Sequence, residues 1–205
     1  MKGLSSTTPT SVIVAVVVSH SGSEVTAPDK LQATSLAAND FALFQMPQQF
    51  ALDLLSLEQS WKALQRHAHP DMHAQSDASA QRLSMQWSVR INEAYQRLKN
   101  PIKRAAYLCE LHGAPIRAEN NTAMPPAFLI QQMEWREALE DAVTMAQLEQ
   151  LANETRVAET AQLAVIAQAL DVDKAPVKAS QEVRSLMFIQ RFGQEVEARI
   201  DLLAP

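Results

Sequence analysis

A single cysteine, Cys109, stands in a chain of 205 residues. Such a chain can build neither a disulfide framework nor a thiolate zinc site within itself, and a reducing, cytosol-like compartment suits it. Glycine is scarce, at 4 residues, and aromatic side chains make up only 5%. Sheets favour β-branched and aromatic residues joined by turn-rich connections. This chain is instead rich in Ala, Leu, Gln, Glu and Arg, so its composition leans helical. Long apolar runs are missing as well. The longest, Val12 to Val18, has seven residues, against the roughly 20 that a membrane-spanning helix needs. Lys2 ahead of that run imitates a short signal peptide, but the cleavage signal is poor. No Gly-rich phosphate loop and no H-E-x-x-H string occurs, which leaves nucleotide chemistry and zinc hydrolysis without their usual motifs.

The charge that is present is unevenly spread. The formal net charge is −5, yet residues 40–113 hold 8 basic and 7 acidic side chains, whereas 114–205 hold 8 and 14. An acidic C-terminal half repels phosphate and argues against a nucleic-acid surface there.

Residues 1–38 are rich in Ser, Thr, Val and Ala and carry no sustained helical period, so they are expected to be a disordered leader. From Ser56 onward, Leu57, Trp61, Leu64 and Ala68 recur on one helical face, stopped by Pro70. After a polar stretch, Leu83, Trp87, Ile91, Ala94 and Leu98 keep the same spacing, with Arg82, Arg90 and Arg97 elsewhere on that helix. Asn100-Pro101 ends it, and a short helix from Pro101 then stops at His112-Gly113. The spacing predicts two main helices joined by a polar loop. Residues 114–125 lack periodicity and read as a linker. Pro125-Pro126 opens three further helices, roughly 126–142, 145–170 and 176–203, the pattern of a small antiparallel bundle. The expected fold is all-α, a helical hairpin followed by a three-helix bundle.

The tripeptide His69-Pro70-Asp71 falls where the hairpin turns. Proline rigidifies the exit from the first helix and removes a backbone donor. An imidazole and a carboxylate at a loop tip are open to a partner. The segments LQRHAHPD (64–71) and INEAYQRLKNPIKRAAYL (91–108) closely resemble the J domain, and specifically the HscB family of iron–sulfur co-chaperones. The resemblance continues through FLIQQMEWREALEDA (128–142) and EVRSLMFIQRF (182–192), and it covers roughly residues 39–205.

This resemblance implies a J domain at 39–113, a linker at 114–125 and a C-terminal scaffold-binding bundle at 126–205. It implies a co-chaperone of iron–sulfur cluster assembly, not an enzyme, with no cofactor of its own. His69, Pro70 and Asp71 would contact an HscA-like ATPase chaperone and couple client binding to ATP hydrolysis. Lys62 and Arg66, four residues apart on one face, would present the cationic surface that steers toward an acidic partner. Ala68 stands where many family members carry an aromatic residue, and Met72 where Lys is common; both changes reduce the contact area and charge expected of the loop.

Wheel arithmetic at about 100° per residue separates two apolar stripes on the helix at 126–142. Phe128, Trp135, Leu139 and Ala142 form the expected core stripe. Leu129, Ile130 and Met133 point away from it, among Glu134, Glu137, Glu140 and Asp141. An exposed apolar spot with an acidic rim is a common interface design. In the HscB family the matching surface holds an IscU-like scaffold, so the resemblance assigns Leu129, Ile130, Met133, Glu134 and Glu137 to scaffold binding. Phe188 joins them, at the margin of the core stripe of Ile189, Phe192, Val196 and Ile200.

Two rival readings remain. His67, His69, Asp71 and His73 are close enough in sequence to offer zinc ligands, but each histidine equally suits a surface position near a helix end. A general J-domain co-chaperone for another client is the nearer rival, though the chain lacks a Gly/Phe-rich linker and cysteine-rich repeats. Mitochondrial relatives carry an N-terminal cysteine motif that is missing here, so the resemblance implies a bacterial cytoplasmic protein without nucleic-acid or membrane partners. Cys109 is expected to be a buried core thiol.

Overall fold

The computed structural model of the chain describes residues 36–68, 78–117 and 124–203. The expected leader lies outside them up to residue 35, as do His69, Pro70, Asp71, Met72, His73 and residues 118–123. Among the described residues every regular element is helical. A four-residue turn, α1 (Asp40–Leu43), is capped by Asn39, whose Oδ1 accepts from Ala42 N–H at 2.8 Å. Helix α2 spans Leu54–Ala68, and the Asp53 carboxylate accepts from both Ser56 Oγ and Leu55 N–H at its start. Those two bonds hold Asp53 below the usual carboxylate range.

Helix α3 spans Ala78–Lys99 and α4 spans Pro101–Leu111. Asn100 caps α4 by accepting from Lys103 N–H at 2.9 Å, and Pro101 occupies a first-turn position that needs no donor. Helix α4 ends where expected, with Gly113 in the left-handed region at φ +75°. Beyond the linker come α5 (Pro126–Asp141), α6 (Met145–Ala167) and α7 (Pro176–Leu203). Thr144 and Gln147 form a capping box at the start of α6. A five-residue π turn, Gln168–Val172, closes α6.

Helices α2 and α3 pack side by side as the predicted hairpin. Trp61 stacks on Tyr95 with ring centroids 4.6 Å apart, and Leu57, Ile91, Ala94 and Leu98 are fully enclosed. The expected α3 stripe fails at one position: Leu83 is 48% exposed, and Ser84 is buried in its place. Ser84 Oγ donates to the Ala68 carbonyl at 2.7 Å, meeting one of the acceptors that a helix end leaves without an intrahelical partner. The small pair Ala68 and Ser84 brings the two helices close at this end. Ala68 is thus a hairpin-core residue, 2% exposed, as its place on the apolar face of α2 predicts.

The hydrophobic interior is continuous across the two halves. Leu57, Ile91, Leu98, Leu108 and Cys109 share one cluster with Ile166 and Leu170 from the end of α6 and with Val183 and Leu186 from α7. A second cluster joins Trp135, Leu151, Ala152, Ile189, Phe192 and Val196. Helix α7, about 42 Å long by its residue count, serves both: its first half enters the shared core and its second half the bundle core.

One buried ion-pair group was not legible in the sequence. Asp40 is fully enclosed, with Arg90 Nη2 at 2.6 Å and Arg97 Nη1 at 2.9 Å from its two carboxylate oxygens. Arg90 also donates to the Leu36 and Ala38 carbonyls, and Tyr107 Oη accepts from Asp40 N–H. Two arginines that read as surface charges therefore fasten α1 to α3. Asp40→Asn should destabilise the fold by about 2 kcal/mol in urea unfolding. That is less than the 3–5 kcal/mol typical of a wholly buried pair, because the Arg97 side chain is 41% exposed and rehydrates. An unchanged midpoint would show the pair to be energetically idle.

Candidate functional site

The loop end of the hairpin is fixed by hydrogen bonds between its flanks. Gln65 Nε2 donates to the Ser88 carbonyl and Ser88 Oγ donates back to Gln65 Oε1, both at 3.1 Å. With the Ser84–Ala68 bond, they hold the last turn of α2 against α3 immediately before His69. His69, Pro70 and Asp71 themselves, and the His69, Asp71 and His73 of the zinc reading, lie outside the described residues. Among the described residues no group of three or more His, Cys, Asp or Glu side chains is placed to hold a metal.

Lys62 and Arg66 are both exposed on α2. Lys62 Nζ lies 2.6 Å from Glu58, one turn back. The hydrogen bond and charge of Lys62 hold the Glu58 carboxylate below its usual range. Part of the Lys62 field is offset in place, whereas Arg66, in the last turn, lies nearest the loop. Arg90 and Arg97 add little to this cationic face, since both are directed to Asp40.

The second candidate surface lies on α5. Trp135 and Ala142 are buried, and Phe128 and Leu139 pack against the same cluster. On the other side Leu129, Ile130 and Met133 are 44%, 58% and 72% exposed, and Glu134 and Glu137 are exposed beside them. Phe188 is half-buried. Its ring meets Phe128 edge-on at 5.8 Å and stacks on Phe192 at 6.2 Å, so it belongs to the bundle core as much as to the surface. Phe128, one residue before Leu129, brings that ring to the N-terminal end of α5. The rim is not purely acidic: the Arg136 guanidinium sits 5.7 Å over the Phe188 ring. Arg136 also lies 3.9 Å from Glu195. The wheel alone could not pair residues on α5 and α7, so this cation over the aromatic edge was missed.

Cys109 is fully buried, and loss of solvent pushes its thiol up to about 11. A protonated, enclosed thiol is no nucleophile at neutral pH. No described helix is long and apolar enough to cross a membrane. Among the described residues, the arrangement leaves an apolar stripe open on α5 and the cations Lys62 and Arg66 open on α2.

A family model described as the HSCB C-terminal oligomerisation domain matches residues 124–197. Over 172 residues, 82% of this chain and 98% of the relative, the sequence is 45% identical to a co-chaperone protein HscB homolog of Burkholderia thailandensis. A homolog from Burkholderia multivorans is 46% identical with the same coverage. Among solved structures, chaperone HscB from Vibrio cholerae superposes with a TM-score of 0.71 at 34% identity, over 82% of this chain and 100% of that one. Human co-chaperone protein HscB gives a TM-score of 0.71 at 26% identity, over 82% and 83% of the two chains.

Proposed function

We propose a function from one premise: the chain belongs to the HscB family of co-chaperones. In this reading it serves iron–sulfur cluster assembly by delivering an IscU-like scaffold to an HscA-like chaperone and stimulating that chaperone's ATPase. The J domain is placed at 39–113 and the scaffold-binding bundle at 126–205, with 114–125 between them. His69, Pro70 and Asp71 engage the ATPase, and Lys62 and Arg66 steer the approach by long-range attraction to an acidic surface. Leu129, Ile130, Met133, Glu134, Glu137 and Phe188 hold the scaffold. The chain itself carries out no chemistry and acts in the bacterial cytoplasm, where ATP and scaffold are both at hand.

The observation that carries the reading is on α5: one helix buries Trp135 and leaves Leu129, Ile130 and Met133 open on the opposite side. A helix that has already satisfied its core has no folding use for a second apolar stripe, and such stripes mark binding sites. The deciding experiment measures ATP hydrolysis by the HscA-like chaperone with this chain, with the scaffold, and with both. Stimulation by the chain alone and a more than additive rate with both is expected. No stimulation would remove the co-chaperone role. Stimulation without any effect of scaffold would leave a general J protein for some other client.

A further inference from the structure

The candidate chaperone-facing and scaffold-facing surfaces lie in different halves of the chain, joined covalently through residues 114–125. Besides the apolar core that the halves share, a polar tie links them. The π turn that closes α6 holds Asp171, whose carboxylate accepts from two successive backbone amides, Phe50 N–H at 2.7 Å and Ala51 N–H at 2.8 Å. Those amides lie only three or four residues before α2, the helix that leads to His69. A carboxylate gripping two N–H groups is geometrically demanding and stronger than neutral pairing.

The surroundings fit a fastening role. Phe50 is buried, and the Arg104 guanidinium packs 4.9 Å from its ring centre. Burial draws the Arg104 pKa down, while the Asp171 carboxylate opposes that shift. On the other flank Arg184, buried on α7, donates through Nη1 to the Ile116 carbonyl at 3.0 Å and pins the start of the linker. The turn bearing Asp171 also departs from helical geometry. Ala175 N–H donates to the Ala169 carbonyl, and Lys174 sits at φ +51°, unfavourable for a residue with a Cβ. Such a conformation persists where the surroundings over-determine it. The wider winding changes the angular position of Asp171 relative to a regular α-helix, which advances about 100° per residue.

We infer that Asp171 is a positioning residue that clasps the base of the α2–α3 hairpin to the bundle, so that a scaffold on the Leu129 stripe and the ATPase at the hairpin loop meet in one fixed geometry. This rests on the function proposed above and extends it: each surface binds its partner independently, and the clasp supplies the coupling between them. Coupling of this kind needs a rigid element that both sites bias.

The test uses the full chain with Asp171→Ala and, as the milder change, Asp171→Asn, which keeps one acceptor oxygen. Four quantities are measured: ATPase stimulation without scaffold, scaffold affinity by calorimetry, the rate with all three proteins, and the spread of distances between spin labels at Gln86→Cys and Ala138→Cys. Both labelled positions are exposed, and buried Cys109 stays unlabelled. For Asp171→Ala the two separate activities should stay within about twofold of wild type. The scaffold-dependent enhancement should fall about fivefold, the low end of site-to-site coupling, and the label distances should broaden. Asp171→Asn should lie between the two. A uniform loss of all activities would reduce Asp171 to an ordinary fold contact and overturn the inference, as would unchanged enhancement with unchanged label distances. Should Asp171→Ala fail to fold, Asp171→Asn decides by the same criteria. Absence of scaffold enhancement in the wild-type chain would instead count against the proposed function itself.

Discussion

Replacing His69 with Gln, or Asp71 with Ala, should return the partner chaperone's ATPase to its unstimulated rate while leaving the co-chaperone folded and able to bind scaffold. The two halves of this expectation have different grounds. The loss follows from the chemistry of the tripeptide. Proline restricts the backbone after the imidazole and disfavours helix at the residue before it, so a tripeptide of this sequence has fewer backbone conformations to lose on binding than an unrestricted one. Groups preorganised in this way contribute disproportionately to recognition, and removing one costs about 2 kcal/mol or more, about thirtyfold in affinity or coupling. Gln in place of His keeps a hydrogen-bonding group of similar size but loses the ring and its proton. Ala in place of Asp loses the charge.

The retention of fold follows from the flanks. Among the described residues, Ser84 to Ala68 and the reciprocal Gln65–Ser88 pair fasten the hairpin ends. The apolar contacts of Leu57, Ile91, Ala94 and Leu98 lie further down the hairpin. Substitutions outside such contacts usually stay within about 0.5 kcal/mol, so thermal unfolding should not move appreciably. Either variant stimulating the ATPase like wild type would remove the role assigned to the loop. Loss of scaffold affinity alongside loss of stimulation would point to a damaged fold.

The sequence made some of this architecture readable and hid the rest for identifiable reasons. Apolar periodicity marks helices because burial is one-sided, and it located α2, α3 and all three bundle helices to within a few residues. It placed Leu83 inside because a wheel weighs hydrophobicity and not size. At the loop end of the hairpin Ser84 faces Ala68 and bonds its carbonyl, so a small polar residue takes the inward position beside Leu83. Asp40 was unreadable for a different reason. A carboxylate in the first turn of a short helix reads as a solvated cap, and its partners Arg90 and Arg97 lie about fifty residues away. Asp171 pairs with amides some 120 residues distant, and backbone donors carry no sequence signature at all. The π turn Gln168–Val172 straddles the expected end of the helix at 145–170 and the break after it. The outer α5 stripe, by contrast, was visible from the wheel, because a helix with two apolar faces is anomalous without reference to anything else in the chain. How the two halves are set against each other could not be read, since it depends on an apolar core shared by residues far apart in the chain and on Arg104, Arg184 and Asp171, three charged residues that a burial argument places outside.

That outer stripe supports the second strong expectation. Leu129→Ala together with Met133→Ala should weaken scaffold binding about thirtyfold or more, taking about 1 kcal/mol for each truncated apolar contact at an interface centre. Stimulation of the chaperone without scaffold should persist. Met133 is 72% and Leu129 44% exposed in the free protein and neither belongs to a buried cluster, so truncation removes no folded-state core contact and unfolding should shift little. Phe188 needs separate treatment. Its ring spans Phe128 and Phe192, and Phe188→Ala would empty part of the bundle core at a cost of about 3 kcal/mol, mixing stability with affinity. Phe188→Leu retains most of the volume and tests the aromatic contact with less disturbance. Its effect on binding should be smaller than that of the double variant and of the same sign. The carboxylates give an independent check, because Glu134 and Glu137 are exposed and their pull on a basic partner is screened by salt. Glu134→Gln with Glu137→Gln should slow association mainly at low ionic strength, whereas the Leu129 and Met133 changes act chiefly on dissociation. Calorimetry returning wild-type affinity for the Leu129 and Met133 double variant would move the scaffold to another face of the molecule, because both side chains lie on the exposed stripe that carries the assignment.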